Sequence, residues 1–431
     1  MRRIESDTTG TGGTWKGLLN GADPMKTALT VAILATVFEV SSSGSFYGSS
    51  MASVFMSLAL AGAAVTLLVI QPSWINFASV AVGALVLAGF DYRILRFQPR
   101  FMAVFSFLGL SSLAVMGTRT IWARNRNRAI FPYAFLPTVL FLASEDMAST
   151  LLDYTEKLHP KTFDLFLYSF DCSLRVQFSF LVGQIYSRHL WFRFAGLLFY
   201  IALPLPLALV YAAHVRRRGK QALPVMLAFL VTGPLGVLFY NLVPATGPVH
   251  VFGQNFPWHP LITSQVRYLV LQTIPVTSAR NAIPSLHMAW MLLAWWNSKG
   301  LSRWIRAIVL VFVIFTVLAT LGIGEHYFVD LVVAFPFALM VQALCLYPLS
   351  FKSGARRAAF LFGTLASLAW MALLSFAIPL FWISPVIPWT MVVATISLSI
   401  WLMYRLQNEE FTNRLALQET GAEARSMATA G

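Results

Sequence analysis

Two histidine motifs carry the residues that could do chemistry. Residues 280–287 read Arg-Asn-Ala-Ile-Pro-Ser-Leu-His and residues 324–330 read Gly-Glu-His-Tyr-Phe-Val-Asp, each at the start of a long apolar segment. Polar groups at the edge of an apolar layer need partners, because leaving them unpaired there is costly. Imidazole and carboxylate groups can act as nucleophile, general acid and orienting group. These two motifs are therefore the candidate catalytic residues.

Local spacing places both motifs at helix N-termini. Pro284 suits the first turn of a helix, so Ser285 and His287 would lie where free backbone N–H groups and the helix dipole receive an anion. His326 and Asp330 are four residues apart and share a helix face. The carboxylate can then hydrogen-bond one ring nitrogen and leave the other directed outward.

A helical hairpin brings the two motifs together. One helix runs from His287 to the basic turn at 299–306, and the next returns to Gly322 and Gly324. Each leg has about 16 to 20 residues, or roughly 24 to 30 Å at 1.5 Å per residue. Both histidines therefore return to the same end of the hairpin, where they could form a nucleophile and acid pair beside a helix N-terminus.

The elements that position these residues are membrane helices. Of 431 residues, 58% are hydrophobic and 11% are charged, whereas soluble proteins carry about 25% charged residues. Two cysteines exclude a disulfide framework and a cysteine-based metal site. We expect an all-α polytopic membrane helix bundle with about twelve crossings. The predicted spans are 25–42, 51–70, 73–90, 101–118, 130–145, 190–213, 221–243, 285–299, 304–323, 326–347, 358–379 and 385–404.

Charge between the spans predicts their orientation. The net charge is +14, and four basic groups fall on one face when the crossings alternate. The positive-inside rule makes that face cytoplasmic and the histidine face external, so the charge does not indicate nucleic acid. One loop does not follow the rule, because Arg93, Arg96 and Arg100 would then lie on the external face.

Polarity along the chain predicts its organisation. The segment 146–189 mixes acidic residues with phenylalanines, so we expect interfacial helices on the outer face, either as a structural cap or as a substrate-gathering surface. The expected parts are a polar tail at 1–26, accessory transmembrane helices at 27–145, a catalytic core at 146–350, a transmembrane hairpin at 351–404 and a cytoplasmic tail at 405–431.

The motifs resemble those of a known superfamily. Pro284-Ser-Leu-His287, followed 39 residues after its histidine by His326-Tyr-Phe-Val-Asp330, resembles the second and third signatures of the type 2 phosphatidic acid phosphatases. Leucine in the second motif, and leucine after Asp330 in the third, are similar to the branch that holds the aureobasidin-sensitive inositol phosphorylceramide synthases. The resemblance implies a six-helix catalytic core with His326 as nucleophile, Asp330 as its orienting group and His287 as the acid. A phosphohistidine needs neither metal nor cofactor, so none is expected.

The phosphate contacts depart from the superfamily. Ala319 and Thr320 stand where other branches have Ser-Arg, and the Lys and Arg-Pro of the first motif are absent. Bidentate arginine clamps are thereby lost. We expect substrate contacts from these residues instead: Arg280, Ser285, Arg267, Tyr240 and Asn281. For Arg280 the alternative is a surface anchor among lipid headgroups.

Three functions stay open at this point. The first is a lipid phosphotransferase that moves a phosphoinositol-like headgroup from a phospholipid donor to a lipid hydroxyl acceptor, as the nearer resemblance implies. The second is a phosphatase acting on phosphatidate or polyprenyl diphosphate, and the third is a lipid transporter or flippase on the same fold. The expected partners are lipids, with no nucleic acid and no obligate protein partner. Arginine outnumbers lysine 24 to 7, which favours a bacterial inner membrane with cytoplasmic termini and a periplasmic site.

Overall fold

The computed structural model describes residues 51–90, 101–121 and 130–430. It is 79% helical with almost no strand, which confirms an all-α polytopic membrane bundle. Three predicted features lie outside the described residues: the tail at 1–26, the span at 25–42 and the loop that contains Arg93, Arg96 and Arg100.

The described chain contains seventeen α-helices, two short 3-10 helices (Gly219–Ala222 and Gly253–Asn255) and one short strand pair. The helices are α1 (Met51–Ile70), α2 (Trp74–Phe90), α3 (Phe101–Ile121), α4 (Pro132–Leu158), α5 (Asp164–Ser173), α6 (Phe178–Arg188), α7 (Leu190–Ile201), α8 (Pro204–Arg218), α9 (Leu223–Tyr240), α10 (Pro248–Phe252), α11 (Thr263–Val266), α12 (Leu286–Asn297), α13 (Arg303–Ile323), α14 (Phe328–Cys345), α15 (Gly354–Phe376), α16 (Ile378–Phe381) and α17 (Val386–Ala430). Strand β1 (Lys161–Thr162) pairs antiparallel with β2 (Ile274–Pro275).

Fewer helices than expected are long enough to span a membrane. Six stretches of the described chain pass by length and hydropathy, and the bent pair of α5 and α6, which meet at 92°, would make a seventh. The passing stretches are Ala103–Ile121, Pro204–Tyr240, Arg303–Ile323, Phe328–Cys345, Gly354–Phe376 and Val386–Arg414, and the second of these contains both α8 and α9. The segment at 146–189, expected to be too polar to span, therefore holds a helix pair that is either a broken span or a re-entrant loop.

Two predicted spans differ from the observed helices, each for a physical reason. The span at 190–213 is divided between α7 and α8, because Pro204 starts a new helix that it could not continue. The span at 285–299 becomes α12, whose 12 residues cover about 18 Å, less than a hydrocarbon core of about 30 Å. Four further apolar helices of 10 to 17 residues lie in the described chain.

Helices α8 and α9 form an antiparallel hairpin beside α12. The His214 ring lies 2.7 Å from the carbonyl oxygen of Asn297 at the end of α12, whereas the Tyr240 hydroxyl lies at the backbone amide of Leu286 at its start. The chain reverses at Gly219, where φ is +55°. The basic turns that follow α8 and α12 therefore lie together at the end of the bundle away from His287. Arg217, at the end of α8, donates a hydrogen bond to the carbonyl oxygen of Gly300 in the turn after α12.

Helix α14 forms the centre of the bundle. It is 83% buried along its span and is surrounded by α9, α12, α15 and α17. Its neighbours α15 and α17 are only 33% buried along their spans, so they present more of their apolar surface to lipid. Helix α1 packs against α3 and α8, which joins the N-terminal helices to this core. The last helix continues to Ala430, through the segment expected as a tail.

Candidate active site

Ser285 is the N-cap of α12. Its hydroxyl accepts a hydrogen bond from the backbone N–H of Met288 at 3.5 Å, and its own N–H donates to the Asp330 carbonyl oxygen at 3.1 Å. Pro284 therefore precedes the cap and does not occupy the first helical turn, because a serine oxygen satisfies a free helical N–H better than proline can. The two signature motifs are thereby joined through their backbones.

His326 lies in the connection between α13 and α14 and is 2% exposed. Helix α13 ends at Gly324, whose φ of +86° suits a left-handed C-cap. The His326 ring donates from Nδ1 to the carbonyl oxygen of Ala282 at 2.9 Å, and its backbone carbonyl accepts from the Ser179 hydroxyl at 2.8 Å. A proton on Nδ1 leaves the lone pair on Nε2, so Nε2 is the nitrogen that can attack an electrophile.

Asp330 lies beside the same nitrogen of the His326 ring. Its Oδ2 lies 3.4 Å from Nδ1 of His326 and accepts the Tyr327 backbone N–H at 2.8 Å, which caps α14. Its Oδ1 is buried and has no protein partner in the described chain. The expected pairing of the carboxylate with one ring nitrogen is present, and the Ala282 carbonyl oxygen is a second and shorter contact of the same Nδ1.

His287 stands in an aromatic pocket. Its ring stacks on Tyr200 with centroids 3.9 Å apart and planes at 14°, and Phe55 and Trp290 contact it edge-on, each at 6.4 Å. Its Nε2 is buried with no hydrogen-bond partner in the described residues. His287 lies close enough to His326 for the two imidazoles to influence each other electrostatically. Phe55 comes from α1, an accessory helix.

Asp171 caps the N-terminus of α14 from a distant part of the chain. Its Oδ2 accepts the Phe328 N–H at 2.7 Å and its Oδ1 accepts the Val329 N–H at 3.2 Å. These are the first two amides of the helix that begins two residues after His326. A carboxylate there also complements the helix dipole. This capping role of Asp171 was not predicted from the sequence.

Asp164 ties the loop before α10 to the same helix terminus. Its carboxylate accepts the backbone N–H groups of Thr246 and Gly247 at 2.9 to 3.1 Å and the Tyr327 hydroxyl at 3.0 Å. Asp164 and Asp171 are seven residues apart, which is two helical turns and hence one face of α5. That spacing is the signal by which sequence reasoning could have found the pair.

Arg280 is fully buried, which excludes the alternative of a surface anchor. Its Nε donates to the His159 carbonyl oxygen at 2.9 Å, and its Nη1 donates to the carbonyl of Ser278. Its Nη2 has no hydrogen-bond partner among the described residues, and neither does the buried Oδ1 of Asn281. Both residues immediately precede Ala282 in the chain, whose carbonyl oxygen accepts the hydrogen bond from the His326 ring. The Nη2 group of Arg280 and the side-chain oxygen of Asn281 are thus two buried polar groups without a hydrogen bond in the described chain.

Tyr240 and Arg267, the other two residues expected to contact substrate, lie in different parts of the structure. Tyr240 is 3% exposed, and its hydroxyl lies at the first amide of α12 within reach of the Asp330 charge. Arg267 is exposed, packs over the Tyr268 ring at 5.9 Å and lines a cavity of about 450 Å³ with residues of α15 and α16. None of the motif residues lines that cavity, so Arg267 does not join the histidines.

A polar rim surrounds the connection between α13 and α14. Nε2 of His250 lies 3.3 Å from Oε2 of Glu325, and this hydrogen bond raises the pKa of His250 above its usual 6.5. Gly247 has φ of +114°, and a Cβ there would lie 2.3 Å from the Glu325 carbonyl oxygen. The loop before α10 can approach the third motif this closely only with glycine at 247.

Comparison with known proteins assigns the class of this region. Residues 165–344, which are 180 of the 431 residues, match the family model described as PAP2 superfamily. Both histidine motifs and Asp171 lie in this stretch. This stretch is therefore similar to the type 2 phosphatidic acid phosphatase superfamily, and the match supports a lipid enzyme of the phosphatase or phosphotransferase type. A search of curated proteins and a search of solved structures found no match.

Proposed function

We propose that this enzyme transfers a phosphorylated headgroup from a phospholipid donor to the hydroxyl group of a second lipid, through a phosphohistidine at His326. The observation that carries the proposal is a pair of Nε2 atoms that have no hydrogen-bond partner among the described residues. One belongs to His326, whose other nitrogen is bonded to the Ala282 carbonyl. The other belongs to His287, inside an aromatic pocket.

The proposed reaction has two steps. In the first, Nε2 of His326 attacks phosphorus, the bond to the diacylglycerol oxygen breaks, and protonated His287 gives its proton to that oxygen. In the second, His287 takes the proton of the acceptor hydroxyl, whose oxygen attacks phosphorus as the bond to His326 breaks. His287 ends protonated again, so atoms and charge balance over the cycle. The carboxylate of Asp330 stabilises the positive charge that His326 carries between the steps.

The charge of the site supports a phosphodiester substrate. Asp330 interacts electrostatically with both Asp171 and Asp164, whereas one nitrogen of the Arg280 guanidinium lacks a hydrogen-bond partner among the described residues. A phosphomonoester dianion would meet more repulsion here than a diester with a single negative charge. A headgroup-bearing phospholipid is therefore the better fit.

The surroundings of His287 support a lipid acceptor. Three aromatic rings, from Tyr200, Phe55 and Trp290, enclose the imidazole that would activate the acceptor. Apolar walls exclude water and suit a hydroxyl attached to hydrocarbon. The nearer resemblance of the motifs supports phosphatidylinositol as donor and a ceramide-like acceptor.

The position of the site supports action on the outer face of a membrane. The histidines lie at the end of the bundle opposite the basic turns after α8 and α12. If those turns are cytoplasmic by the positive-inside rule, the site faces the periplasm of a bacterial inner membrane and both termini are cytoplasmic.

The test uses purified protein in detergent micelles with a phospholipid carrying a labelled headgroup. With a lipid acceptor present, we expect a new labelled phosphodiester lipid, and no product from His326→Ala. His287→Ala should slow transfer most from donors with poor leaving groups and least from an activated aryl phosphodiester. His259→Ala, which changes an exposed histidine outside the site, is the matched control.

Three results would contradict the proposal. Labelled free headgroup phosphate as the only product would make the enzyme a hydrolase. Equal losses with alkyl and aryl donors would remove the acid role from His287. Lipid movement across vesicles that persists in His326→Ala would favour a transporter.

A further inference from the structure

A polar cavity of about 350 Å³ lies at the end of the bundle opposite the histidines. It is bounded by the turn between α8 and α9, by the C-terminal ends of α12 and α14, and by α17. Its lining includes the charged residues Arg218, Lys299, Glu410 and Arg414. No residue of the two histidine motifs lines it, so it is separate from the candidate active site.

Buried polar side chains form the floor of this cavity. Nδ2 of Asn297 donates to Oε1 of Gln342 at 2.8 Å, and the His214 ring donates to the Asn297 carbonyl oxygen at 2.7 Å. His214 and Gln342 are only 5% and 3% exposed. From α17, Gln407 donates to the Trp296 carbonyl oxygen at 2.8 Å. The cavity floor is therefore held by hydrogen bonds between four helices.

The walls carry a surplus of positive charge. Three cations, Arg218, Lys299 and Arg414, face one carboxylate, Glu410. Glu410 pairs with Arg414 and also interacts with the charge of Arg218. Three positive charges against one negative charge leave a surplus of two, which suits an anion that enters from the mouth.

Exposed aromatic side chains place the mouth at the depth of lipid headgroups. Tyr404 and Phe411, on the cavity side of α17, are 58% and 64% exposed, and the Lys299 ammonium lies 4.9 Å above the Tyr404 ring. Amphipathic aromatic rings with basic neighbours are typical of the membrane interface. Basic pockets between transmembrane helices at that depth bind anionic headgroups.

We propose that this cavity binds the phosphate group of an anionic phospholipid on the membrane face away from the active site. Arg218 and Lys299 would contact the phosphate, while Arg414 stays paired with Glu410. The polar floor would receive the hydroxyl groups of the headgroup. A soluble phosphate ester offers the same chemistry, so the experiment must separate the two sources.

The experiment measures lipid binding to the purified full chain by native mass spectrometry. Short-chain phosphatidylglycerol is titrated against phosphatidylcholine of the same chain length, with glycerol 3-phosphate as the soluble arm. We expect phosphatidylglycerol to bind more tightly than phosphatidylcholine. A basic residue near a membrane surface is worth about 1 kcal/mol, so each of Arg218→Gln and Lys299→Gln should weaken binding about fivefold.

Two further variants separate a specific effect on binding from a general loss of structure. Arg303→Gln removes an exposed arginine at the same end of the bundle but outside the cavity, and binding should not change. Glu410→Gln raises the charge surplus and should strengthen binding about fivefold, a gain that misfolding cannot mimic. Equal losses in Arg303→Gln and Arg218→Gln, or no gain in Glu410→Gln, would overturn the proposal. Equal affinity for glycerol 3-phosphate would assign the phosphate site to a soluble ester and overturn its assignment to a lipid.

Discussion

Replacing Asp171 tests whether a remote carboxylate holds the catalytic helix in place. Asp171→Ala removes the acceptor of two backbone N–H groups at the start of α14, one buried and one partly buried. A buried donor left without a partner costs about 1–3 kcal/mol. Because one of the two amides can reach water, we expect a total loss of about 3 kcal/mol in the free energy of unfolding.

Asp171→Asn separates the hydrogen bonds from the charge. Asparagine keeps one oxygen acceptor, and the loss of charge relieves the repulsion between Asp171 and Asp330. We therefore expect the asparagine variant to lose less than half as much stability as the alanine variant. Turnover should fall on the order of 100-fold in Asp171→Ala, because a displacement of about 1 Å at the reacting groups is enough for that.

The assay is equilibrium unfolding of the purified protein in mixed micelles, paired with the transfer assay on the same samples. Asp153→Ala, at an exposed position of α4, is the control and should change the free energy of unfolding by less than about 0.5 kcal/mol. If Asp171→Ala unfolded no more easily than Asp153→Ala, the capping argument would be refuted.

Three further perturbations act on the histidine pocket and its rim. Tyr200→Ala removes a stacked ring worth about 0.5–1.5 kcal/mol and should lower turnover about two- to tenfold, whereas Tyr200→Phe should retain it; equal losses would show that the hydroxyl, not stacking on His287, matters. Gly247→Ala places a Cβ 2.3 Å from a carbonyl oxygen of Glu325 and should lower the melting temperature, so an unchanged melt would contradict the close approach. The raised pKa of His250 makes the pair with Glu325 stabilising below the unfolded value of 6.5, and this contribution is lost as pH rises through the higher folded pKa. The stability difference between wild type and Glu325→Gln should therefore be larger near about pH 5.5 than near about pH 8.5, and a difference that does not vary with pH would speak against the pair.

Helix geometry explains how much of the site could be predicted. The rise per residue is constant, so the 39 residues between His287 and His326 bring both side chains to one end of a hairpin in any helical arrangement. The four-residue spacing of His326 and Asp330 likewise puts them within reach of each other, and the carboxylate oxygen lies 3.4 Å from the ring nitrogen.

Interactions across long sequence separations could not be predicted in this way. Ser179 and His326 are 147 residues apart, and Asp171 and Phe328 are 157 apart. A hydrogen bond to a carbonyl, such as that of Ala282, has no side-chain signature. The partner of the His326 ring and the cap of α14 were therefore missed.

The membrane crossings were also predicted only in part. Hydropathy correctly identified a multi-pass membrane protein, because apolar surface must leave water wherever it occurs in the chain. It predicted twelve spans, whereas six stretches of the described residues are long enough and α12 is too short. The length of a buried helix depends on what packs around it, and hydropathy does not report packing.

The amino-acid sequence alone determined that this protein is a membrane helix bundle and that two histidines and one carboxylate share an end of it. Composition and helical repeat are local properties, so they can be followed along the chain. Only the tertiary structure decided that aromatic rings from two other helices enclose His287, that Asp164 and Asp171 anchor α14, and that a basic cavity lies at the opposite end. Those features arise where distant segments meet, and the free energy of such contacts depends on packing and burial that no local pattern contains.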